Sequence, residues 1–198
     1  MMPARITVPL VALLVVAAVV VTWLITRDAA ARPAAYKGEP TSAMYSLVDS
    51  RQRDPAPLTV AEVFPESGRR LGELTRAGTE EFADCAEVLS GVEAPGCTQA
   101  LRATYTGASA AGQFVILNLA DGKAADALVA ALGKDGFVEQ AAAFAAAGSR
   151  AQARALGHYV TVSWIGPLTE GAKPDLAAAH VALDGLSRVV QARVINAD

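Results

Sequence analysis

The spacing of apolar and polar residues predicts several elements directly. "HYVTVSWI" alternates along its length, with His158, Val160, Val162 and Trp164 on one side and Tyr159, Thr161 and Ser163 on the other, the period of a β-strand. "CTQALRATY" alternates in the same way, setting Leu101, Ala103 and Tyr105 against Thr98, Arg102 and Thr104. After the small-residue loop "GASAAG" comes "QFVILNLA", a nearly continuous apolar run that suits a central strand, so the two segments read as a hairpin.

Helical spacing appears elsewhere. Thr59 and Glu62 in "PLTVAEVFPESG" have the capping-box separation of a short helix that Pro65 and Gly68 would stop. Phe82, Cys85, Ala86 and Leu89 recur at i, i+3, i+4 and i+7, which predicts a helix from about Thr79 to Leu89 after a strand at Arg69 to Arg76. Asp121 can cap a helix whose stripe is Ala125, Leu128 and Leu132, ended by "GKDG", and "GFVEQ" then starts a strand. A last helix from about Asp175 to Ala192 turns Leu176, Ala179, Leu183, Leu186 and Val190 inward. The alanine-rich "AAAFAAAGSRAQARALG" supports no single period and is left unassigned.

The resulting order is strand, helix, strand, strand, helix, strand, plus a terminal helix. It predicts an α+β domain of the ferredoxin-like, split βαβ type, with an antiparallel sheet and helices on one face. On such a sheet the alternation assigns Leu101, Ala103, Val160, Val162 and Trp164 to the core. Arg102, Thr104, Tyr159, Thr161 and Ser163 are left on an open face, the candidate partner-binding surface because Arg and Tyr are enriched at interaction hot spots.

The N-terminal pattern has no polar face. From Ile6 to Ile25, "ITVPLVALLVVAAVVVTWLI" runs for twenty residues without a charge, the length that a hydrocarbon core of ~30 Å requires. Trp23 near its end suits the headgroup interface. The expected layout is a short cytoplasmic tail (1–5), a transmembrane helix (6–25), a proline-bearing juxtamembrane linker (26–57) and an extracytoplasmic α+β domain (58–198). Ala29 and Ala31 offer the alternative of a signal-peptide cleavage site. Against export, only Arg5 and the α-amine precede the span whereas Arg27, Arg32 and Lys37 follow it.

Composition narrows the function. With 17 Lys and Arg against 20 Asp and Glu the net charge is −3, and no basic stripe with interleaved aromatics offers the footprint of nucleic-acid binding. Cys85 and Cys97 are the only cysteines, separated by eleven residues. They lack the second ligand pair of a zinc site and the C-x-x-C of a redox centre. In an exported domain they read as a disulfide between a helix and the following strand; in a cytosolic one they would be buried thiols.

No catalytic set emerges. "GASAAG" is not G-x-S-x-G, so Ser109 reads as a loop residue. The "DGK" and "GKD" triplets lack the spacing of a phosphate loop. His158 reads as a hydrogen-bonded histidine at the margin of the core. His180 and Asp184, one helical turn apart, read as a local ion pair with no third metal ligand. Glu80 and Glu81 suit the first turn of a helix better than a pair of catalytic carboxylates.

"PLTVAEVFP", followed by a cysteine before "GCTQALRATY", resembles a family of uncharacterised single-pass membrane proteins of high-GC actinobacteria. The resemblance runs over most of the chain from Pro57 onward, except residues 141–155, and implies an extracytoplasmic domain with a disulfide; it brings no catalytic residues to transfer. The expectation is a plasma-membrane-anchored binding or accessory domain of the cell envelope. It would contact the bilayer through residues 6–25, have an envelope protein as partner, and need no cofactor, metal or nucleic acid. An envelope hydrolase with a dispersed catalytic set is the alternative.

Overall fold

The computed structural model describes residues 31–197, to which all structural statements below refer. The expected tail and transmembrane helix, and the cleavage site except for Ala31, lie outside them. Among the described residues no helix is long and apolar enough to cross a membrane.

In chain order the elements are β1 (Ala35–Glu39), a 3-10 segment (Ser42–Val48), α1 (Val60–Val63), β2 (Arg70–Leu71), β3 (Leu74–Phe82), a 3-10 turn (Cys85–Val88), β4 (Leu89–Ser90), β5 (Gln99–Thr106), β6 (Ala110–Asn118), α2 (Gly122–Ala131), β7 (Phe137–Val138), β8 (Arg150–Leu156), β9 (Tyr159–Pro167), α3 (Ala177–Asp184) and α4 (Arg188–Ile195). Seven strands form one curled mixed sheet in the order β1-β8-β9-β6-β5-β3-β2, and β4 pairs separately with β7. Only β1 runs parallel to its neighbour, β8; the other pairings are antiparallel.

This is not the ferredoxin-like fold that the sequence predicts. The helix expected from Thr79 to Leu89 does not form, because residues up to Phe82 belong to β3 and pair with β5. Glu80 stands opposite Arg102 and meets it at 2.8 Å, a cross-strand charge pair that a helix would forfeit. Asp84 then caps a single 3-10 turn by accepting from the Ala86 N–H at 2.9 Å. Losing that helix removes the first βαβ unit.

Both faces of the sheet are covered, not one. Against the first face pack α2, the β4–β7 pair and Phe144, over Ala151, Ala153, Val160, Val162 and Trp164. Against the second pack α1, α3, α4 and Val48, over Leu101, Ala103, Phe114, Ile116 and Tyr159. A strand covered on both sides buries every residue, and all nine of β9 are buried.

The stretch expected to be a linker, 26–57, is largely part of the domain. β1 extends the sheet, Tyr36 donates to the Val129 carbonyl at 2.8 Å, and the Ser42 hydroxyl donates to Asp126 Oδ2 at 2.6 Å. Val48 is fully buried, and its carbonyl accepts from both the His158 N–H, at 2.9 Å, and His158 Nδ1, at 2.8 Å. Gly157 makes that approach feasible: its φ is +62°, and an added Cβ would stand 2.1 Å from the Val48 oxygen.

Several local expectations hold. The capping box between Thr59 and Glu62 forms, Asp121 caps α2 by accepting from the Ala124 N–H at 2.8 Å, and β5 and β6 make the hairpin. Cys85 and Cys97 are disulfide-bonded, with Cα atoms 6.0 Å apart, and tie the 3-10 turn to the approach to β5. Closing a loop of this length constrains the unfolded chain by roughly 3 kcal/mol. Replacing both cysteines by alanine should therefore lower the free energy of unfolding by about 3 kcal/mol in urea titrations, and peptide mapping without reductant should show the linked pair.

Candidate functional site

The five residues assigned to an open binding face do not share a face. The ladder aligns Leu101 with Ile116 and Thr161, and Arg102 with Val115 and Val162. Tyr159, Thr161 and Ser163 therefore lie with Leu101 and Ala103, under α3, α4 and α1, at no more than 1% exposure each. Arg102 and Thr104 lie on the opposite face. There the Arg102 guanidinium is held by Glu80 and sits 4.8 Å from the centroid of the Phe82 ring. The alternation along β9 separates two buried faces rather than inside from outside, so the five residues form no common open surface.

Ser163, His180 and Asp184 are the constellation nearest to a hydrolytic set. Ser163 Oγ lies 3.1 Å from His180 Nε2 and donates to Asp184 Oδ1 at 3.3 Å, while Asp184 is ion-paired with Arg154, which also binds Glu39 at 2.7 Å. The expected His180–Asp184 pair is replaced by these contacts. In a nucleophilic triad the carboxylate orients the imidazole through its other nitrogen and the hydroxyl faces a substrate. Here the carboxylate engages the serine and an arginine, and the serine is buried. The arrangement satisfies polar groups beneath α3.

Burial pushes both histidine imidazoles below their usual value of 6.5. The Val48 carbonyl and Asp54 work against this at His158, and Ser163 and Asp184 at His180, without reversing it. Because the folded-state values are lowered, the unfolded chain takes up the protons first. The stability is complete above the unfolded value and is lost as pH falls below it. The thermal midpoint should thus decline between about pH 7 and pH 5, and the double variant His158→Asn, His180→Gln should flatten that decline.

A different buried polar group is left without a partner at the edge of a cleft. Asn118 closes β6 at 3% exposure, between Gln99 of β5 and Tyr159 of β9, and its Oδ1 has no hydrogen-bond partner. His158 Nε2 and Thr161 Oγ1 are also unpartnered; Asn118 in addition lines a cleft. That cleft measures about 380 Å3 and lies where the ends of β3, β5 and β6 meet the segment 51–57. Arg51, Glu81, Thr98 and Gln99 supply its other polar walls, and Pro55, Pro57 and Phe82 its apolar ones.

The walls are fixed from the backbone outward. Gln99 is clamped by Leu58, whose N–H donates to Oε1 at 3.0 Å and whose carbonyl accepts from Nε2 at 2.8 Å. The same Nε2 donates to Glu81 Oε1 at 2.7 Å, setting the position of that carboxylate. Arg51 donates through Nη1 to the Thr98 hydroxyl, and its backbone N–H is bound by the Ala120 carbonyl at 3.1 Å. Among the described residues neither Arg51 nor Glu81 has an ion-pair partner, and they do not pair with each other. Sequence reading missed this site, though one signal was present: Asn118 is the polar residue that ends an apolar central strand.

Comparison with protein-family models, with curated proteins and with solved structures gives no match to the chain.

Proposed function

We propose that the chain is an exported binding domain of the cell envelope, tethered by residues 6–25, which takes a small polar ligand in the cleft at Asn118 and performs no covalent chemistry. The observation that carries the reading is the unpartnered, buried amide oxygen of Asn118, a residue that lines a cleft with fixed polar walls. An orphaned buried acceptor costs about 1–3 kcal/mol, a cost that a bound donor would offset. The disulfide of the only two cysteines and the uncharged run from Ile6 to Ile25 support location on the outer side of the plasma membrane. Any signal from ligand binding would pass through an envelope protein partner.

The hydrolase reading is less well supported, because Ser163 is 1% exposed and its neighbours are arranged to satisfy it. Two measurements test the proposal. Protease added to spheroplasts should degrade the domain, and protection would overturn the exported location. Asn118→Leu in the full chain should raise the stability by about 1 kcal/mol or more, by removing an unsatisfied group, and should abolish ligand binding. A variant that is destabilised, or that retains binding, would count against Asn118 as the ligand's partner.

A further inference from the structure

The cleft contains two opposite charges that do not meet. Arg51 lies on one wall, its guanidinium hydrogen-bonded to the neutral Thr98 hydroxyl and, among the described residues, with no carboxylate within ion-pair distance. Glu81 lies on another, pinned through Oε1 by Gln99 Nε2 and with no ion-pair partner among the described residues. Nearby charged residues behave differently: Glu80 pairs with Arg102, and Asp54 with Arg193. Asn118 lines the same cleft, and its amide carries a donor group as well as the buried, unpartnered Oδ1 acceptor. Pro55, Pro57 and Phe82 complete the lining with apolar surface.

A ligand that complements this set carries a carboxylate for the guanidinium, an ammonium for the glutamate and an apolar side chain. We infer that the cleft binds a zwitterionic α-amino acid, with its carboxylate at Arg51 and Thr98, its ammonium at Glu81, and Asn118 hydrogen-bonded between them. The cleft of about 380 Å3 is large enough for such a molecule with an aliphatic side chain. Charge-assisted hydrogen bonds at both ends make recognition depend on both charges, because removing either leaves a wall charge without its partner.

The inference rests on the proposed ligand cleft and deepens it. Calorimetric titration of the full chain in detergent micelles, with leucine of either hand, leucinamide and N-acetylleucine as probes, separates the two. Leucine should bind, and the amide, which lacks the carboxylate, and the acetyl derivative, which lacks the ammonium, should each bind about tenfold or more weakly. Arg51→Met should make leucine and leucinamide bind alike, and Glu81→Gln should do so for leucine and N-acetylleucine, with thermal midpoints near that of the parent chain. Equal binding of all three probes, sensitive to Asn118→Leu, would overturn the zwitterion assignment and leave the ligand cleft standing. Binding of none, together with an unchanged response to a broader set of small polar solutes in Asn118→Leu, would overturn both.

Discussion

Replacing Arg193 by leucine should cost about 3 kcal/mol of folding stability, read as a fall in the urea midpoint with the slope unchanged. The guanidinium is 12% exposed and is the hub that fastens α4 to the segment before α1. Its Nε and Nη2 grip the Glu62 carboxylate at 2.7 and 2.8 Å, a bidentate pair. Nη1 donates to Asp54 Oδ1 at 2.9 Å and to the Ala56 carbonyl at 2.7 Å, and Nη2 to the Pro57 carbonyl at 3.0 Å. The Tyr159 hydroxyl donates to the other Asp54 oxygen at 2.7 Å and accepts from Arg193 at 3.0 Å.

Removing one partner of such a set strands the others, which is why the loss exceeds that of a surface ion pair. Glu62 is one-third exposed, so water relieves part of the cost there and the figure belongs at the low end of the buried range. Arg193→Lys should recover only a part, since an ammonium cannot reproduce the bidentate fork. The hub also holds Pro55 and Pro57, which form one rim of the Asn118 cleft, so leucine affinity should fall along with stability. A variant as stable as the parent chain would show that the packing of α4, and not this network, holds the rim.

What the sequence revealed was local. The Thr59–Glu62 box, the Asp121 cap and the β5–β6 hairpin each depend on neighbours within a few positions and appear where expected. The single helix expected from Asp175 to Ala192 is instead broken by a 3-10 turn at Gly185–Ser187 into α3 and α4, with Leu176, Leu183, Leu186 and Val190 still buried. The disulfide was legible because only two cysteines exist. Non-local pairing was not. Phe82, Cys85 and Leu89 have helical spacing, but Gly78, Glu80 and Phe82 have strand partners in β5 that compete successfully. β8 hides in the same way: "RAQARAL" alternates, but alanine's helical preference masks a period of two. The structure uses alanine at 151, 153 and 155 on the face that packs against the first core cluster.

The same reasoning explains the misplaced binding face and the missed cleft. Alternation within a strand tells which residues share a side, but only register tells which side two different strands have in common. A prediction that joined Arg102 to Tyr159 therefore had even odds before the pairing was known, and the ladder aligns Arg102 with Val162 instead. Arg51, Glu81 and Asn118 come from three separate segments brought together by the β3–β5–β6 pairing and the path of residues 51–57, which no single window contains.

The alanine-rich stretch that resisted assignment is organised by one side chain, and truncating it should give an effect larger than the loss of the disulfide. Trp164 is fully buried at the centre of the first core cluster, with its ring edge-on to Phe137 at 5.0 Å and to Phe144 at 5.2 Å. Phe137 in turn meets Tyr36 of β1 at 5.5 Å, so a chain of aromatic contacts runs from the edge strand through β7 to the loop before β8. The indole N–H donates to the Ser149 hydroxyl at 2.8 Å, which itself donates to the Ala146 carbonyl at 2.7 Å. With so few large rings in the chain, small neighbours such as Ala142 and Ala151 cannot collapse to fill the space. Trp164→Ala should therefore cost about 4 kcal/mol, the transfer loss plus a cavity, and Trp164→Phe appreciably less. Hydrogen exchange should speed up most across residues 137–149, where the Trp164 contacts converge, and an increase spread evenly over the sheet would indicate a loss of global stability alone.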